Sequence, residues 1–104
     1  MEAKLDNVWL KDSDFSKDGT LSATIAGLQV EQNTRGKQDR VLLLALPNKE
    51  IRAMSVWGGN WNFLVYHLGA VTEAWTGKTV LLKSEIVEWK DGQQKRIKTF
   101  YGAN

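Results

Sequence analysis

The chain has 104 residues, a net charge of +2, five tryptophans and no cysteine. A chain of that length forms one domain, residues 1–104, and buries a modest core without metal or disulfide support. The missing cysteines exclude a disulfide framework, a thiolate zinc site and a cysteine nucleophile, and the longest apolar run, Val41 to Leu46, is far shorter than the roughly 18 residues that span a membrane.

The N-terminal stretch MEAKLDNVWLKDSDF is acidic and interrupted, unlike a signal peptide. Its patch Val8-Trp9-Leu10 reads as an edge strand, and Lys17-Asp18-Gly19 as a turn. From Thr20 the pattern alternates, with Leu21, Ala23 and Ile25 on one side of a first strand. After Gly27 the apolar positions, Leu28 and Val30, fall one step out of phase, which predicts a β-bulge that bends the strand. Residues 32–40, QNTRGKQDR, read as a polar loop with Arg35, Lys37 and Arg40 around Gly36. A second strand, Arg40 to Leu46, is apolar at nearly every position, so both its faces are expected to be covered. Pro47-Asn48-Lys49 turns the chain into a third strand, Glu50 to Trp57. One of its faces carries Ile51, Ala53, Ser55 and Trp57, the other Arg52, Met54 and Val56; parity alone does not say which is inward.

After Gly58-Gly59, Asn60 reads as a helix N-cap. Trp61, Leu64, Val65 and Leu68 then form one apolar stripe at helical spacing, and Gly69 is a natural stop. A short turn is expected over Thr72 to Trp75. A fourth strand, Thr79 to Trp89, passes through the hairpin turn Lys90-Asp91-Gly92-Gln93 into a fifth, Gln94 to Tyr101. The predicted fold is mainly β, with one helix between strands three and four. This order resembles the five-stranded Greek-key barrel called the OB-fold, whose helix plugs one end. An SH3-like barrel, the main rival, would not place an amphipathic helix there.

A second resemblance lies in Asn60, Leu64, Leu68-Gly69, Glu73 and Trp75-Thr76-Gly77-Lys78 followed by Val80 and Leu82. About a third of the chain here resembles small proteins of phages and archaeal viruses. With the missing cysteines, it sets the expectation of a cytoplasmic protein, in the host cytoplasm if the chain is viral. The wider resemblance, to OB-fold proteins that bind single-stranded DNA, implies binding along strands two and three, rimmed by the strand 1–2 and strand 4–5 loops.

Catalytic patterns are weak. The sole histidine, His67, sits on the helix beside Tyr66 with no triad partner, and reads as a surface or half-packed residue. One histidine without thiolates does not build a zinc site. Asp12-Ser13-Asp14 has the alternate spacing of a calcium loop, but Lys17 stands where that loop needs glycine. Gly77-Lys78-Thr79 resembles the end of a phosphate loop, but Thr72 replaces the earlier glycine. No catalytic residue, metal or cofactor is assigned.

Binding patterns are stronger. The first 31 residues carry a net −3 and the other 73 a net +5, as an acidic edge and a basic face would. Arg35, Lys37 and Arg40 lie on the first loop, Arg52 on strand three, and Lys90, Lys95, Arg96 and Lys98 around the last hairpin. Each can replace a counterion at a phosphate. A small barrel encloses roughly two or three indole rings, which leaves others at the surface. Trp57, Trp89 and Phe100 are the candidate stacking platforms. Trp61 is expected in the core, and Trp75 at the helix-to-strand connection. The expectation is a non-enzymatic protein that binds single-stranded DNA with little sequence preference. RNA as the strand and a self-associating or protein-binding OB module are the alternatives.

Overall fold

A computed structural model of the chain describes residues 8–32, 36 and 38–103. Five strands, β1 (Thr20–Gln32), β2 (Gln38–Ala45), β3 (Ile51–Ser55), β4 (Thr79–Glu88) and β5 (Gln94–Ala103), and one helix, α1 (Gly58–Leu68), are joined with two 3-10 turns, Asp12–Asp14 and Thr72–Trp75. The strands form one sheet in the order β3-β2-β1-β4-β5. All neighbours in it are antiparallel.

β1 is long because it serves two partners. Thr20 to Thr24 pair with β4, and Thr24 to Gln32 pair with β2. Between them the register slips, with Ile25 opposite Leu44 and Gly27 opposite Leu43, so Ala26 is the extra residue of a bulge. The predicted bulge is therefore present, but alanine carries it. A Cβ at Gly27 would meet only Leu43 Cδ1 at 4.0 Å, an ordinary contact. The bulge explains the phase change: Leu21, Ala23 and Ile25 face the core before it, and Leu28 packs against the core after it.

β3 puts Met54 and Val56 inward, while Ile51 and Trp57 are exposed. Ala53, on the outward parity, is nevertheless buried. The Val8-Trp9-Leu10 patch lies along the β3 edge, with Leu10 N–H donating to Ala53 O (2.9 Å) and Ala53 N–H to Val8 O (2.8 Å). The expected edge pairing thus exists, and it is parallel.

The helix begins at Gly58, with Trp57 as its N-cap, and not at Asn60 as the local sequence suggests. Gly69 ends it as expected, with φ 92° and its N–H bonded to Val65 O at 2.9 Å. Leu64 is fully buried, and Trp61, Val65 and Leu68 pack beside it. Trp75 is enclosed, donates Nε1–H to Gly69 O at 2.9 Å, and sits 5.3 Å from the Trp61 ring. Leu42, Leu44, Leu64 and Leu82 are completely shielded, each stabilising by roughly 1.5–3 kcal/mol relative to exposure.

Three turns share one construction. Ser16–Thr20, Leu46–Glu50 and Trp89–Gln93 each close with a pair of backbone hydrogen bonds of 2.8–2.9 Å. In each, the third residue's Oδ1 accepts the backbone N–H of the fifth: Asp18 from Thr20, Asn48 from Glu50, Asp91 from Gln93. In each, the fourth residue takes positive φ: Gly19 (81°), Lys49 (72°) and Gly92 (80°). Each is thus a hydrogen-bonded turn closed by a left-handed residue, the pattern of a common hairpin loop.

β3 and β5 are the two ends of the sheet order, and no ladder joins them among the described residues. The sheet is not closed into a barrel, and the opening between these edges is where the candidate site lies.

Candidate nucleic-acid interface

A cleft of about 600 Å3 lies between the β3 edge and β5. Trp9, Ala53 and Ser55 form one wall, and Ile97, Lys98 and Thr99 the other. Gly59, Asn60 and Phe63 of α1 close one end, and Trp57 and Trp89 also line it. Three indoles there remain open to solvent: Trp57 is 71% exposed, Trp9 48% and Trp89 46%. Trp57 follows β3 on the outward parity, and Gly58, at φ 56°, turns the chain into the helix just after it. Trp89 follows β4 and opens the last turn.

The helix is fastened to β5 by a side chain. Asn60 Nδ2 donates to Lys98 O at 3.0 Å, and Phe100 N–H donates to Asn60 Oδ1 at 3.4 Å. The Phe63 ring stacks on Phe100, centroids 6.1 Å apart and planes 17° apart. Thr99 Oγ1 is buried without a hydrogen-bond partner among the described residues.

Of the sequence-predicted residues, Trp57, Trp89, Lys98 and Phe100 line this cleft. Phe100 is only 6% exposed and forms floor, not a free platform. The expected alternation of Arg96, Lys98 and Phe100 holds, opposite Ile86, Ser84 and Leu82. It is the core-facing side of β5, so the ring is enclosed and only the two cations reach solvent. Lys95 Nζ lies 5.0 Å over the Trp89 ring, a cation–π contact that joins a positive charge to an exposed indole. Lys90 is exposed on the adjoining turn.

Two predicted cations lie elsewhere. Arg40 Cζ stands 4.2 Å over Trp61. Arg52 pairs with Asp14 at 3.2 Å and with Glu50, and its side chain is only 16% exposed. Glu50's hydrogen bond first, and the nearby Asp14 and Glu50 charges, hold the Arg52 guanidinium above its usual value despite opposing desolvation. Neither arginine lines the cleft. Arg35 and Lys37 lie outside the described residues.

Asp12 and Asp14 bridge the two edges of the sheet. Asp14 holds Arg52 of β3, while Asp12 accepts Ser84 Oγ–H at 3.1 Å and faces Lys98 Nζ (3.6 Å) and Arg96 Nε (3.7 Å). Sequence reasoning missed this strap, and it missed Phe63 and Ser84. Trp9 was detectable from its apolar patch, but nothing local to it indicates the cleft. His67 is exposed, with its ring 4.1 Å from Phe63 and 5.1 Å from Tyr66. No protein-family model and no curated protein matches the chain.

Proposed function

We propose that this protein binds single-stranded DNA with little sequence preference, with bases stacked on Trp9, Trp57 and Trp89 and phosphates met by Lys90, Lys95, Arg96 and Lys98. The observation that carries the reading is the cleft itself, three solvent-open indoles with Lys98 on its wall and Lys95 over Trp89. Exposed rings in a monomer mark a binding surface, and every base offers a π-face, so stacking tolerates any sequence. The strand order, with a helix between β3 and β4, fits an OB barrel open between its third and fifth strands. No residue here reads a 2′-hydroxyl recognisably, so RNA is the second strand type to test.

A second reading, a protein-binding or self-associating module, draws on a different observation: among the described residues that line the cleft, Lys98 is the only charged one. Tryptophan fluorescence separates the two. Adding oligo-dT should quench emission, with affinity falling by a log–log salt slope near −0.7 for each phosphate contacted. Trp57→Ala and Trp89→Ala should each weaken binding by roughly 1–3 kcal/mol while the fold persists. Absence of quenching, together with a stable dimer that shields Trp57 and Trp89, would replace the DNA reading with the second one.

A further inference from the structure

Asp12 and Asp14 are two residues apart and are held very differently. Asp14 Oδ2 accepts the Lys11 N–H at 2.9 Å and pairs with Arg52 at 3.2 Å, with the two side chains 11% and 16% exposed. That contact anchors the 3-10 turn. Asp12 is 57% exposed, and its two cations stand back at 3.6 and 3.7 Å, so among the described residues only the Ser84 hydroxyl, at 3.1 Å, makes a full side-chain hydrogen bond to it. Arg96 Nη1 also donates to Ser84 Oγ at 3.3 Å, which ties the donors into one group. Ser84 and Lys98 are register partners across β4 and β5, and Arg96 lies two residues along the same face.

We propose that Arg96, Lys98 and the Ser84 hydroxyl form a phosphodiester subsite at the mouth of the aromatic cleft, and that the Asp12 carboxylate fills it until a ligand phosphate displaces it. A carboxylate and a phosphate ester present similar anionic oxygens to the same cationic donors. Among the described residues two cations face a single carboxylate, so a net positive charge remains to attract an anion. Exposed, long ion pairs of this kind contribute little to stability and separate easily. Lys98 belongs both to this group and to the cleft wall, so a phosphate held here brings its base next to the indoles. Asp14 keeps the turn in place while Asp12 swings out. The inference rests on the DNA-binding reading for its ligand, but its geometry stands apart from it.

The test is a coupled set of variants titrated with oligo-dT. Asp12→Asn should tighten binding about two- to fivefold, because no carboxylate competes for the donors. In an Arg96→Gln/Lys98→Gln background the same substitution should leave affinity unchanged. Ser84→Ala should weaken binding in the otherwise native protein. An equal gain in both backgrounds would mean that Asp12 acts only through net charge, and no gain in either would mean that it does not compete; each result overturns the proposal. If neither wild type nor Asp12→Asn binds oligo-dT, the DNA reading falls, and pyrophosphate decides the subsite. The Arg96 Nε–H resonance should then shift on adding pyrophosphate, more strongly in Asp12→Asn. A resonance that stays put in both proteins ends the proposal.

Discussion

Asn60 completes the edge of β5 beside Lys98: its amide donates to the Lys98 carbonyl at 3.0 Å, and its carbonyl accepts the Phe100 N–H at 3.4 Å. A helical side chain thus takes the place of a neighbouring strand where the sheet's open edge meets the helix. Those backbone groups are part-buried, so losing their partner exposes the full cost of unpaired polar atoms. Asn60→Leu keeps the size and removes both bonds. It should lower stability by about 1–3 kcal/mol in urea unfolding and weaken oligo-dT binding, because Trp57 and Phe63 would no longer be fixed against β5. An unchanged urea midpoint would show that the helix is held by its apolar stripe alone.

Arg40 provides a contrasting test, because its position suggested a phosphate contact and its geometry supports packing. Its guanidinium lies over Trp61, away from the cleft lining. Arg40→Ala should cost about 0.5–2 kcal/mol through the lost cation–π contact, with oligo-dT affinity unchanged within error. Thermal melts and titrations on the same preparation read both quantities. Loss of affinity at intact stability would move Arg40 into the ligand contact.

The sequence showed what depends on neighbours and concealed what depends on distance. The alternation of Leu21, Ala23 and Ile25, the Asp-Gly hairpin and the Gly69 stop are local signals, and each lies where expected. Asn60 was misread for the same reason: asparagine before an apolar stripe looks like a cap, yet its partners are 38 and 40 residues away. Parity grouped Arg96, Lys98 and Phe100 correctly but could not say that their shared side faces the core. Asp12-Ser13-Asp14 resembled an incomplete calcium loop because Ser84, Arg96, Lys98 and Arg52 are remote in the chain.

Asp18 gives the fold an acid dependence. Its Oδ1 accepts hydrogen bonds from Thr20 Oγ1 at 2.7 Å, Ser16 Oγ at 2.8 Å and Thr20 N at 3.1 Å. The Thr20 hydroxyl first, then Ser16, hold its carboxyl below the ordinary carboxylate value. A depressed folded-state pKa stabilises the fold above the unfolded-state value, about 3.9 for aspartate, and that stabilisation is lost as pH falls through the lower folded-state value. Asn48 makes the matching backbone contact in the second turn, so Asp18→Asn should leave the turn intact. Wild type should exceed Asp18→Asn in stability at neutral pH, and the gap should close below about pH 4. Urea unfolding at several pH values measures it. A gap that is constant with pH would remove Asp18 as its source.

Lys49 occupies the left-handed position that glycine fills in the two sister turns, and it is the only non-glycine residue with positive φ among the described residues. A side chain there places Cβ against the following carbonyl, at roughly 1–2 kcal/mol. Replacing it with glycine relieves that strain but gives the unfolded chain more freedom, an offset of roughly 0.5–1 kcal/mol. Lys49→Gly should therefore raise stability by about 1 kcal/mol or less, and Lys49→Asn should lie between, since asparagine tolerates this region. Gly92→Ala, which imposes the same strain on the last hairpin, should move in the opposite direction. All three are read from the urea midpoint at constant slope, because an unchanged slope keeps the comparison on stability and off the compactness of the unfolded chain. If Lys49→Gly is less stable than wild type, backbone strain is not what governs this turn, and contacts of the lysine side chain outweigh it.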